Sequence, residues 1–193
     1  MTLRQELKSF WPEGKPALAA PVIGLKAPSS ERLPIPSVDG RPVILTFLRH
    51  CGCPFAEKTF KAIRTTAAHN PNIRFIAVSH SDQGSTDRWV DAVGGGEGVE
   101  IVVDADREIF AEWGLGLSSL GHFMSPAGLW AVYRLGKDEG IWNKPTESGN
   151  RWQTSGSFAV DMRGTLRWGR AMRSVAEVPN FEEAVESVKV SSD

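Results

Sequence analysis

Short apolar runs alternate with stretches of helical spacing through the middle of the chain. Val43-Ile-Leu-Thr-Phe-Leu48 is apolar and rich in β-formers, the pattern of a strand buried on both faces. Phe55, Phe60, Ile63 and Ala67 follow at roughly helical spacing, with Pro54 suited to the first turn, and that helix should stop before Pro71. Residues 73–78 predict a second buried strand. Ser85 or Thr86 is placed to cap a helix over 87–93, which Gly94, Gly95 and Gly96 stop. Residues 99–103 predict a third strand, and 106–113 a third helix ended by Gly114.

The flanks read differently. Leu3, Leu7 and Phe10 are spaced for a short opening helix, and seven of the twelve prolines then fall between Trp11 and Pro42. Residues 1–42 are therefore expected to form an arm lying along the body. From 114 to 151 the periodicity weakens, which predicts a partly helical insertion shaping a pocket rather than extending the sheet. Regularity returns in Ser157-Phe-Ala-Val-Asp161, where the turn to Gly164 leads into Leu166-Arg-Trp168 as a β-hairpin. A last helix over 181–190 carries Phe181, Ala184, Val185 and Val188 on one face. The order β-α-β-α-β-α, insertion, hairpin, α predicts an α/β domain spanning 1–193, with a mixed central sheet and helices on both faces.

Composition narrows the function. Twenty-two basic and twenty-three acidic residues give a net charge of −1, so neither nucleic acid nor a membrane surface is an expected partner. No apolar run approaches the ~20 residues that span a bilayer. The two cysteines are too few for a disulfide-stapled secreted domain, and the expected location is cytoplasmic.

The chemistry concentrates in His50-Cys51-Gly52-Cys53-Pro54, where the first body strand gives way to its helix. Carboxyl-terminal strand edges are where sites form in α/β sheets. With Pro54 as the first helical residue, Cys53 becomes the N-cap, and free N–H groups and the helix dipole favour its thiolate. Arg49 and His50 are the nearby groups able to stabilise charge, although alternation along the chain would aim one of them away. Cys51 is either a small buried hydrophobe or a partner for Cys53. Residues i and i+2 of an extended chain lie up to ~7 Å apart, at the edge of what a disulfide tolerates, and Gly52 permits the closing bend. His50 with two thiols does not complete a four-ligand zinc site, so no metal is expected. His69, His80 and His122 read as surface or loop residues, and the tryptophans as packing, although Trp152 is placed to line a pocket. Gly94-Gly-Gly-Glu-Gly98 lacks the lysine and the following helix of a phosphate loop.

Phe47-Leu-Arg-His-Cys-Gly-Cys-Pro-Phe55 resembles the Phe-Leu-Arg-His-x-Gly-Cys-Pro-Phe segment of peroxiredoxin-like proteins of the alkyl-hydroperoxide-reductase/thiol-specific-antioxidant type. The similarity extends through Ile73–Ser79, Val103–Arg107 and Gly156–Asp161. It implies a thioredoxin-like fold and a thiol-dependent oxidoreductase. In that reading Cys53 attacks a peroxide or disulfide, Cys51 resolves the oxidised form, and Arg49 or His50 stabilises charge. No organic cofactor is implied; thioredoxin or glutathione would donate electrons, and a homodimer is compatible with the chain. Relatives often carry a second cysteine where Ala56 stands. Typical members also have Thr and Pro at the positions of His50 and Thr46, and Arg at that of Ser155. Two other functions fit the same residues: a cofactor-independent biosynthetic tailoring enzyme acting on a small metabolite, and a non-catalytic binding protein of the same fold.

Overall fold

The computed structural model describes residues 14–118, 126–146 and 148–189. The expected opening helix, His122 and Val190 lie outside the described residues. The strands are β1 (Val43–Phe47), β2 (Arg74–Ser79), β3 (Glu100–Val103), β4 (Gly156–Val160) and β5 (Leu166–Ala171). The helices are α1 (Pro54–His69), α2 (Gln83–Ala92), α3 (Glu108–Glu112), α4 (Pro126–Glu139) and α5 (Phe181–Lys189). One sheet runs in the order β3-β2-β1-β4-β5. β1, β2 and β3 are parallel, β4 pairs antiparallel with β1, and β5 with β4. Parallel neighbours need long crossovers, which α1 and α2 supply.

β1 is buried at every position, and its alternating side chains feed two cores. Ile44 joins the layer built by α1, α2, α4 and α5, with Phe60, Ile63, Trp89, Leu135 and Phe181. Val43, Leu45 and Phe47 point to the other face, against Phe110, Trp113, Phe158 and Leu33. There the Phe47 ring meets Phe110 edge-on at 5.0 Å and lies 5.6 Å from Trp113. Helices cover both faces unequally, because on the second face α3 is short and Leu33 and Ile35 from the proline-rich arm complete the layer. Backbone bonds hold that arm: Gly24 N–H donates to Leu166 O at 2.8 Å, and Leu166 N–H to Leu25 O at 2.9 Å.

Several local expectations are corrected. Asp82, not Ser85 or Thr86, caps α2, its carboxylate accepting the Ser85 N–H at 2.8 Å. A carboxylate ahead of the first turn satisfies that donor and also complements the helix dipole. α3 starts at Glu108 rather than 106, because Arg107 is left-handed (φ +59°) and the buried Asp104 carboxylate takes the Phe110 N–H at 2.9 Å. β5 runs on to Ala171, three residues past the expected end. Trp130 and Trp142 are more than half exposed rather than packed inside. Among the described residues, 114–151 add no strand to the sheet and contribute α4.

Candidate active site

β1 and β2 end at the same sheet edge, where the chain from Phe47 turns into α1. Leu48 N–H still donates to Val78 O at 2.9 Å, so residues 49–53 begin from a fixed point. Cys53 is the N-cap of α1: its backbone is extended (φ −71°, ψ 126°), and its carbonyl accepts the Glu57 N–H at 3.2 Å. No side chain caps this helix, and Pro54 occupies the first position. Cys53 therefore stands at the positive dipole end of a sixteen-residue helix.

Cys53 lines a cleft of about 310 Å³ with Arg49, His50 and Arg151. Phe55, Leu129, Val132 and Val175 give it apolar walls. Both residues preceding the turn reach this cleft, whereas strict alternation would have aimed one away. β1 ends at Phe47, so the strand's alternation no longer governs residues 49 and 50. Arg49 is only 5% exposed. Its Nη2 donates to Arg151 O at 2.8 Å, while Nε and Nη1 are buried and find no hydrogen-bond partner among the described residues. The same holds for both ring nitrogens of His50. Burial, followed by the positive charges of Arg49 and Arg151, holds the His50 pKa well below the usual histidine range. His50 is thus a neutral imidazole, one nitrogen a donor and the other an acceptor.

Arg151 was not among the expected site residues. The resemblance points to an arginine next to Gly156, where Ser155 stands; Arg151 comes four positions earlier. Arg151 and Cys53 line the same cleft only through tertiary packing. His80, expected on the surface or in a loop, lies in the loop after β2 and is buried, its Nε2 3.1 Å from both the backbone N and O of Asn150. Burial, and next Arg107, lower its pKa to about 3. His69 is exposed at the end of α1. Thr46 does not line the cleft; it pairs with Ser157 across β1 and β4 at 2.7 Å. Ala56 is buried in the core.

The two thiols are separated. Both are free and buried, but Cys51 opens onto another cavity, of about 270 Å³, with Ser85, Trp89 and Lys144. Cys51 N–H donates to Ser81 Oγ at 3.3 Å, and its sulfur lies 3.9 Å from Ser79 Oγ. Burial raises the Cys51 pKa, against hydrogen bonds from the Ser81, Ser79 and Thr86 hydroxyls. Gly52 between them is clamped. Lys144 N–H donates to Gly52 O at 2.9 Å, and a Cβ on Gly52 would stand 2.8 Å from the carbonyl oxygens of Lys144 and Pro145. The Lys144 ammonium also reaches Glu57 of α1 at 3.2 Å.

Similar proteins agree with this architecture. A peroxiredoxin-like protein from Aquifex aeolicus superposes with a TM-score of 0.59 at 14% identity, covering 90% of each chain. A thiol peroxidase from Chromobacterium violaceum gives 0.56 at 12% identity, over 92% of this chain and 91% of that one. A yeast mitochondrial 1-Cys peroxiredoxin gives 0.53 at 14% identity, over 85% and 73%. At these identities the likeness establishes the fold, which is the thioredoxin-like fold of peroxiredoxins. A comparison with curated proteins finds no match. The sequence model of the AhpC/TSA antioxidant enzymes matches residues 61–174, more than half of the chain, beginning after the cysteine turn. The sheet, its connections and that match together place the chain in the AhpC/TSA antioxidant enzyme family, to which a thiol-dependent redox role belongs.

Proposed function

We propose that the protein is a thiol-dependent oxidoreductase that reduces a peroxide or a disulfide through Cys53. One observation carries the assignment to this cysteine: it caps α1 in a cleft whose Arg49 guanidinium holds two buried N–H-bearing nitrogens with no hydrogen-bond partner among the described residues. A buried polar group without a partner costs about 1–3 kcal/mol, more when charged, so its retention points to a ligand. Family membership supports the same chemistry.

With a hydroperoxide, the Cys53 thiolate attacks the terminal oxygen and the O–O bond breaks. Cys53 is oxidised to the sulfenic acid, and the departing alkoxide takes a proton and leaves as the alcohol. Arg49 donates hydrogen bonds to the oxygen on which negative charge develops, an interaction strongest in the transition state. Neutral His50 offers an acceptor for the hydroperoxide O–H, a role the hydroxyl of typical members would fill at that position. Two thiol groups, from thioredoxin or from two molecules of glutathione, then return the sulfenic acid to the thiol: the first forms a mixed disulfide and releases water, and the second releases Cys53 as the donor disulfide forms.

The test follows peroxide consumption and the mass of the chain together. The native protein should consume one equivalent of cumene hydroperoxide and gain one oxygen on the peptide containing Cys53. Cys53→Ser should do neither. Equal consumption by Cys53→Ser would refute the assignment.

A further inference from the structure

The cleft also bears on which thiol completes the cycle, and this inference rests on the redox reading of Cys53. The sulfur belongs to a residue 5% exposed, set within a space of about 310 Å³, at the lower end of small-molecule sites. A cysteine on the surface of a folded donor reaches such a sulfur only if the turn opens. The turn is held from outside by the Lys144 N–H bond to Gly52 O, the Lys144 and Pro145 carbonyls packed over Gly52, and the Lys144–Glu57 ion pair. Cys51 faces a different cavity and is held off by the same clamp.

Charge selects further. Among the described residues no aspartate or glutamate lines the cleft; Glu177, on the adjoining pocket that Arg49 also borders, is paired with Arg170, and Arg49 is buried with two nitrogens that find no partner among the described residues. In the sulfenic acid form Cys53 carries no negative charge, so an entering reductant meets the Arg49 guanidinium on the same cleft wall.

We infer that oxidised Cys53 is reduced by a low-molecular-weight anionic thiol of up to tripeptide size, rather than by a folded protein donor or by Cys51. In the first step the thiolate attacks the sulfenic sulfur, an S–S bond forms, and hydroxide leaves with a proton as water. A second thiolate attacks the sulfur of the bound small thiol. Cys53 departs as thiolate, and the small thiol leaves as its symmetrical disulfide. The hydroperoxide is the oxidant and two small thiols supply both electrons.

A mixed disulfide made without peroxide tests this independently of the peroxidase chemistry. Full-length Cys51→Ser is treated with methyl methanethiosulfonate, which adds a methylthio group to Cys53. Loss of that group is then followed by intact mass with glutathione, 2-mercaptoethanol, cysteamine or reduced thioredoxin. Per thiolate, glutathione should react at least about tenfold faster than cationic cysteamine, the size of effect a nearby charge exerts on approach. Arg49→Gln should abolish that preference and Arg49→Lys should keep it. At equal concentration thioredoxin should be slower than glutathione. Failure of the small reagent to label Cys53, a faster reaction with thioredoxin, or cysteamine matching glutathione would each overturn the inference. Peroxide consumption by the native chain reports separately on the redox reading.

Discussion

Gly52 is where the geometry of the thiol turn can be tested most directly. Replacing it with alanine has two costs. A left-handed backbone costs a residue with a Cβ about 1–2 kcal/mol, and φ at Gly52 is +106°. The new Cβ would also stand 2.8 Å from two backbone oxygens, of Lys144 and Pro145, which cannot rotate away as a flexible side chain would. Forcing such atoms apart costs about 1–3 kcal/mol more. Gly40 provides the control, because its φ is +72° and nothing lies within 4 Å of its would-be Cβ. Gly40→Ala should lose only the backbone part. Urea unfolding at pH 7 under reducing conditions measures both, compared at a common m value. Gly52→Ala should be the less stable by about 1–3 kcal/mol, and its Cys53 should alkylate more slowly as the N-cap geometry shifts. Equal destabilisation of the two variants would show that the 144–145 backbone does not clamp the turn.

Other outcomes follow from the same site. In single-cysteine proteins at pH 7, the chain retaining Cys53 should react with iodoacetamide faster than the chain retaining Cys51, because burial raises the Cys51 pKa; the reverse order would place the reactive thiol at Cys51. Arg49→Met should slow the peroxide reaction about 10²–10³-fold, as loss of one transition-state donor does. An unchanged rate would remove Arg49 from the reaction. His50 and His80 are held neutral with lowered pKa values. Below about pH 6.5 the unfolded chain therefore binds protons the folded one refuses, so stability is complete above that pH and falls as pH drops. The slope between pH 6 and 5 approaches about 1.4 kcal/mol per unit for each such histidine. Urea midpoints across that interval check it, and a flat profile would show that both imidazoles take up protons in the folded state.

Periodicity and punctuation in the sequence determined the body of the fold. The apolar run at Val43, the Pro54 start, the glycines after α2 and the Asp161–Gly164 turn are local signals, and each names its element without help from distant residues. The position of Cys53 was legible for the same reason, because an N-cap is defined by its immediate neighbours. Helix starts near residues 82 and 107 were harder to read. Several polar residues compete for a cap, and the choice depends on which backbone donors the fold leaves unsatisfied.

Tertiary structure alone decided the rest of the site. His80 belongs to a polar loop by composition, yet the 148–151 backbone covers it and keeps it neutral. Arg151 lies about one hundred positions from Cys53 and shares its cleft only through tertiary packing. The partnership of Cys51 with Cys53 looked plausible from separation along the chain. A left-handed Gly52 sends the two thiols into different cavities, and carbonyls from residues 144 and 145 hold it there. Spacing constrains distance along a chain; which cavity a side chain enters depends on dihedral angles that distant packing imposes.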